Sequence, residues 1–303
     1  MWLARVKPDR IWDLITARGS RARALIHGVK APLRNAAIPL LQYWYSSRYH
    51  NHTYSPFVTI GTPRVGSTLV MTHLRSHPKI VSYPEIFLGQ YLANHPYAIE
   101  NPTRFLNRYI FRPYPDWVQA VGFKLFYDQA ISSIALENRY LKTGGYQNQL
   151  YKLDRVRSFL GNKQELKVIH LKRWNLLKSL LSRKRAEETK QWLNAKKSFA
   201  KPNPKILLEY EETLGHFEKI EREQEGEKAL FSRHECLEIE YEDMRGDIQG
   251  TIRKIQKFLR VEEKDLKSPL HRQGGDRLSE AISNYRELKD RFQDTHWSPF
   301  FED

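Results

Sequence analysis

Hydrophobic positions in this chain gather into five short runs, each closed by a glycine, a proline or a charged residue, with helically spaced apolar residues between them. The runs lie near 57–61, 80–83, 120–126, 166–171 and 236–240 and read as strands. Residues 69–76 follow the first run as a helix, with Ser67 placed to cap it. After the fourth run, Asn175 stands where a cap belongs. At 100° per residue Ser179 and Ser182 fall on the cap's side, and Leu176, Leu177, Leu180 and Leu181 elsewhere. Residues 243–259 carry Ile248, Ile252, Ile255 and Leu259 and read as one helix. Between these lie two opposed charge blocks. Eight basic residues occupy 183–205, eight glutamates occupy 209–227, and Pro202, Asn203 and Pro204 punctuate them, so an antiparallel helix pair is expected.

The first strand runs into Gly61, Thr62, Pro63, Arg64, Val65, Gly66, Ser67 and Thr68, which is almost a nucleotide-triphosphate loop. Glycines let an oxyanion approach the backbone, and the helix start offers unpaired N–H groups and the positive end of the macrodipole. The loop lysine is missing, and Arg64 supplies the cation from inside the loop, beside the terminal group of a bound phosphate chain. A triphosphate also needs Mg²⁺ and a strand-end carboxylate. Here the fourth strand ends in Lys172 and Arg173, which points to a phosphate-like donor activated without metal.

These residues resemble the sulfotransferases that use 3′-phosphoadenosine 5′-phosphosulfate (PAPS). Thr62, Arg64, Val65, Gly66, Ser67 and Thr68 are similar to that family's 5′-phosphosulfate loop, in the arginine version of bacterial carbohydrate and protein-tyrosine sulfotransferases. Arg173 and the helix after it are similar to the 3′-phosphate motif, with Ser182, or alternatively Ser179, as its serine. The resemblance spans roughly residues 55 to 295. It implies a P-loop-like three-layer α/β sandwich with a mainly parallel central sheet and helices on both faces. It also makes Glu85, just beyond the second strand, the catalytic base, and Lys124 an aid to the passing sulfuryl group; a basic residue at Arg272 would reach the donor nucleotide. The plainer readings are a surface glutamate starting a helix, and a lysine snorkelling from a strand edge. Should Glu85 not be the base, Asp128 or His77 is next, although Asp128 reads as a helix cap and His73, His77, His170 and His271 as packed or surface residues.

Charge extends the picture. With 50 Lys and Arg against 35 Asp and Glu, the chain carries a net +15, which implies anionic partners. Residues 1–49 hold nine Arg or Lys against Asp9 and Asp13, with Trp2, Trp12, Tyr43, Trp44 and Tyr45. They read as a basic aromatic helical extension of a 50–303 catalytic domain, either packed on it or lying on a membrane surface. Residues 95–118, rich in Pro, Arg and aromatics, form either a binding wall or a covering loop. Cys236 is the only cysteine, and Arg5, Lys7, Asp9 and Arg10 break any signal-peptide core, so a cytoplasmic protein is expected, with peripheral membrane association as its variant.

The acceptor implied is a hydroxyl of a glycan or glycolipid, with a peptide tyrosine or a small-molecule alcohol as alternatives and no nucleic acid as partner. From other classes, a P-loop kinase or NTPase and a basic nucleic-acid-binding protein remain. Mg²⁺-dependent ATP turnover would mark the first, and steeply salt-dependent DNA binding the second.

Overall fold

In the computed structural model all five apolar runs pair into one parallel sheet of order β2-β3-β1-β4-β5. The structure describes residues 52–88, 98, 100–129, 154–192, 204–270 and 277–302. The N-terminal extension, the boundary at residue 50, His271, Arg272 and the turn residues Pro202 and Asn203 lie outside them.

The strands are β1 (Ser55–Gly61), β2 (Ile80–Glu85), β3 (Ala120–Phe126), β4 (Lys167–Lys172) and β5 (Cys236–Glu240). Period-two alternation divides their side chains between two cores. Val58, Ile60, Val81, Tyr83, Phe123 and Val168 fill one face. Phe57, Ile80, Ile169, Leu171 and Ile239 fill the other. Each buried Phe, Ile or Val here contributes about 1.5–3 kcal/mol relative to exposure.

The helices are α1 (Ser67–Ser76), α2 (Pro102–Phe105), α3 (Asp154–Asn162), α4 (Leu176–Thr189), α5 (Tyr210–Leu230), α6 (Tyr241–Gly246), α7 (Ile248–Phe258), α8 (Leu278–Ala281) and α9 (Tyr285–Phe292). Val70, Met71 and Leu74 of α1 pack with Met244, Ile252 and Ile255 on the second face. Phe105 of α2 and Val156 and Leu160 of α3 pack on the first, which completes three layers. A third core joins α4 and α5 to α8, α9 and the final 3-10 turn Ser298–Phe301. Among the described residues no helix is long and apolar enough to cross a membrane.

Two expectations are corrected and two are narrowed. Ser67 does not cap α1; it is the first helical residue, Gly66 occupies the cap at φ 75°, and no side chain caps the helix. The single helix at 243–259 is two, because Asp247 leaves helical geometry and its carboxylate accepts from the Gly250 N–H at 2.7 Å. The first partner of the charged pair stops at Thr189, with Lys184 reaching across to Glu212 of α5. The aromatic segment is a covering one where it is described. Phe105, Phe111 and Tyr114 are buried in the first core, and Trp117 stays exposed.

Connectivity locates the functional edge. The chain leaves β1 toward β2 and leaves β4 toward β5, so its path diverges between the neighbours β1 and β4. In open parallel sheets the crevice outside the strands' carboxyl ends, at such a switch point, is where ligands bind.

Candidate active site

The β1–α1 loop is shaped by close backbone approach. A Cβ at Gly61 would lie 2.5 Å from the Leu171 carbonyl oxygen, so only glycine lets β1 and β4 end side by side. A Cβ at Gly66 would meet Met244 Cε at 2.6 Å and Tyr241 Cδ2 at 3.1 Å, because α6 packs beneath the loop. Arg64 also adopts a positive φ, 73°, which costs a non-glycine residue about 1–2 kcal/mol. Left-handed turns of this kind direct successive amides into one concavity. Thr62, Val65 and Ser67 are buried, and the Val65 side chain belongs to the second core, so Val65 can offer a ligand only its backbone.

Beside the loop, β2 and β3 bring together Glu85 and Lys124, two candidates far apart in sequence. Tyr83 pairs with Phe123, but the register then shifts, and Glu85, not Pro84, stands opposite Lys124. Proline has no N–H for the ladder, so the irregularity falls at Pro84. Glu85 is therefore the last residue of β2 and not beyond its end.

Lys124 is 3% exposed. Its Nζ contacts Glu85 Oε1 at 2.6 Å and donates to Thr68 Oγ1 at 2.9 Å. Burial pushes the Lys124 ammonium below its usual range, and the Glu85 carboxylate holds it back up. An unpaired buried lysine would be strongly disfavoured, so the strand lysine is retained with its anion and is not snorkelling.

The second anion-facing group lies across the switch point. Arg173, just past β4, donates from Nη1 to the Arg64 carbonyl at 3.2 Å and stacks over Tyr241 at 4.5 Å. Its Nε is buried, makes no hydrogen bond among the described residues, and stands 3.9 Å from Glu242. Arg64 turns toward α4, donating from Nε to Ser182 Oγ at 3.0 Å and from Nη1 to the Trp192 carbonyl at 2.8 Å. Burial works against the charge of both arginines. Ser182 is thus the serine joined to Arg64, while Ser179 is buried and lines a small pocket with Thr62, Pro63, Asp128, Lys219 and Glu223. Burial raises the Asp128 carboxyl, with Lys219 and Arg183 pulling it back.

His77 is fully buried, accepts from the Lys79 N–H at 3.0 Å and faces the Glu262 carbonyl at 2.9 Å, so both ring nitrogens are engaged structurally. His170 pairs with Tyr127 inside the sheet layer, and burial lowers its pKa to about 4. Among the described residues no group of three His, Cys, Asp or Glu is placed to hold a metal ion.

Sequence reasoning missed Gln129, Trp192, Tyr241 and Glu242. Glu242 alone left a sign, an acid following the fifth strand where Arg173 follows the fourth; the others come from long-range packing without local pattern.

A model of the sulfotransferase family matches residues 56–265. Nodulation protein H of Rhizobium meliloti (strain 1021) is 29% identical over 139 residues, which is 45% of this chain and 56% of that protein. The chain therefore spans about half the length of the curated relatives it matches. A sulfotransferase from Alicyclobacillus acidocaldarius superposes with a TM-score of 0.42 and 15% identity, over 78% of this chain and 90% of its own. The sulfotransferase domain of the Synechococcus PCC 7002 olefin synthase gives 0.37 and 17%, over 80% and 89%.

Proposed function

The chain belongs to the sulfotransferase family, and from that premise we propose that it moves a sulfuryl group from PAPS to a hydroxyl of a carbohydrate or glycolipid. The observation that carries this reading is the convergence of Thr68, Lys124 and Glu85 at the carboxyl edge of the sheet, each within hydrogen-bond distance of the next. The acceptor oxygen attacks sulfur, its proton passes to Glu85, and the sulfur–oxygen bond to the phosphate breaks with its electron pair leaving on adenosine 3′,5′-bisphosphate. Lys124 and the loop amides would meet the negative charge that develops on that phosphate, and Arg64 would join them by exchanging its bonds to Ser182 and the Trp192 carbonyl for the donor.

The donor fits what the residues leave open. The uncapped start of α1 supports binding of the 5′ group, and the buried Nε of Arg173, without a hydrogen bond among the described residues, supports binding of the 3′-phosphate. The arginine-bearing loop is common to the carbohydrate and protein-tyrosine branches, so a peptide tyrosine is the next acceptor to try after a glycan, and a small alcohol the one after that.

Incubation with radiolabelled PAPS and a panel of glycans, glycolipids, tyrosine peptides and alcohols tests the reading. Label is expected on a glycan, and adenosine 3′,5′-bisphosphate is expected to bind more tightly than ADP. Glu85→Gln should slow single-turnover transfer by about 10²–10⁴ with donor affinity preserved. Absence of transfer to every hydroxyl, together with Mg²⁺-dependent ATP turnover, would overturn the assignment.

A further inference from the structure

Gln129, in the turn after β3, is 7% exposed and holds the far side of the Glu85 carboxylate. Its backbone N–H donates to the Phe126 carbonyl at 3.0 Å, and the Phe126 N–H donates to its side-chain Oε1 at 3.1 Å. A backbone N–H can only donate, so Oε1 must face Phe126 and the amide NH₂ must point away. It points to Glu85 Oε2, at 2.9 Å. The turn is itself clamped by Arg157 of α3, whose Nη2 donates to the carbonyls of Tyr127 at 2.6 Å, Phe126 at 3.3 Å and Gln129 at 3.4 Å while its Nη1 pairs with Glu227 of α5.

Glu85 is thereby gripped at both oxygens, Oε1 by Lys124 and Oε2 by Gln129. With Lys124 alone, rotation about the terminal torsion, which is broad for glutamate, could bring either oxygen to the ammonium and change where the free lone pairs aim. A second donor of fixed orientation removes that freedom. Being neutral, it adds no second cation next to Lys124; the charged groups around the pair are Lys124 on β3, Asp128 in the same turn, and the Arg157–Glu227 pair behind it. We propose that Gln129 is a positioning residue for sulfuryl transfer, fixing the plane of the Glu85 carboxylate so that one of its two remaining lone pairs faces the acceptor hydroxyl. This rests on Glu85 being the base.

A double-mutant cycle tests it. Gln129→Met keeps length and loses both side-chain hydrogen bonds. Single-turnover transfer should fall about tenfold, the scale of a modest misplacement of a reacting group, while the dissociation constant for adenosine 3′,5′-bisphosphate stays within about twofold. In the Glu85→Gln background the same change should cost nothing further, since Gln129 acts only through Glu85. An unchanged rate in Gln129→Met, or an equal loss in both backgrounds, overturns the proposal, the second result meaning that Gln129 serves the turn alone. Gln129→Glu covers the case in which the methionine variant does not fold. It still accepts from Phe126 but opposes one carboxylate to another, so it should slow transfer, and the combination with Glu85→Gln, which restores a donor–acceptor pair, should be no slower than Glu85→Gln alone. A multiplied loss there also refutes the proposal. Should Glu85→Gln itself transfer at the wild-type rate, the base assignment has failed, a result distinguishable from failure at Gln129.

Discussion

Two strand–turn–helix units meet at the active edge, β1 into α1 and β4 into α4, and they begin their helices in opposite ways. At α1 the cap is Gly66, which has no side chain to take the first amides. At α4 the cap is Asn175, whose Oδ1 accepts from the Lys178 N–H at 2.8 Å and whose Nδ2 donates to the Phe300 carbonyl at 2.8 Å. The Trp174 and Asn175 amides are directed to the Glu242 carboxylate, at 3.0 and 3.5 Å. Three backbone donors of the second turn, at Trp174, Asn175 and Lys178, are thereby taken. An anion at the first unit is met by main chain and dipole, whereas one at the second is met chiefly by side chains, Arg173 and Ser182.

The sharpest way to break this contrast is Arg64, the one charged side chain in the loop of the backbone-type unit. Arg64→Ala should weaken donor binding and slow transfer by about 10²–10³, as for removal of an oxyanion stabiliser. If single-turnover rates stay near wild type, the amides alone carry that unit. Next in size is Arg173→Ala. With three amides of the second turn already taken, loss of this side chain should abolish most of the preference for adenosine 3′,5′-bisphosphate over ADP, a factor on the order of a hundred that calorimetry would register. Equal preference in the variant would mean that backbone groups of the second turn bind the phosphate after all. The smallest effect belongs to Asn175→Ala, which should cost about 1–2 kcal/mol of unfolding free energy while leaving the nucleotide preference intact, since Asn175 works inside the fold. A lost preference with unchanged denaturation midpoint would reverse its role.

Legibility in the sequence followed the range of the interaction. Strands such as 120–126 and the Asn175 cap were readable because alternation and capping act within a few residues. The break at Asp247 was hidden by an unbroken isoleucine spacing, Ile248, Ile252 and Ile255, that outweighed a residue apt to cap. At Ser67 the local preference for a hydroxyl cap lost to the left-handed Gly66. In the site, the pairing of Glu85 with Lys124 followed from strand order and a bulge, and Gln129 gave no signal at all, since its role depends on which atom faces Phe126. Arg64 was expected beside the donor's terminal group; its side chain is turned to Ser182 and the Trp192 carbonyl.

The packing of Gly66 on Tyr241 and Met244 has a consequence in time. Those two residues follow all five strands in the chain, so the loop that comes first in synthesis gains its support last. Contacts of such sequence separation form late, after the closure entropy of everything between has been met. During translation the early strands and α1 can emerge with the cradle still unshaped, and ligand affinity should arise abruptly, not in proportion to length. Ribosome-arrested chains of graded length are expected to bind adenosine 3′,5′-bisphosphate only after α6 has cleared the exit tunnel; binding by chains that stop before β5 would show that the loop shapes itself without support from below.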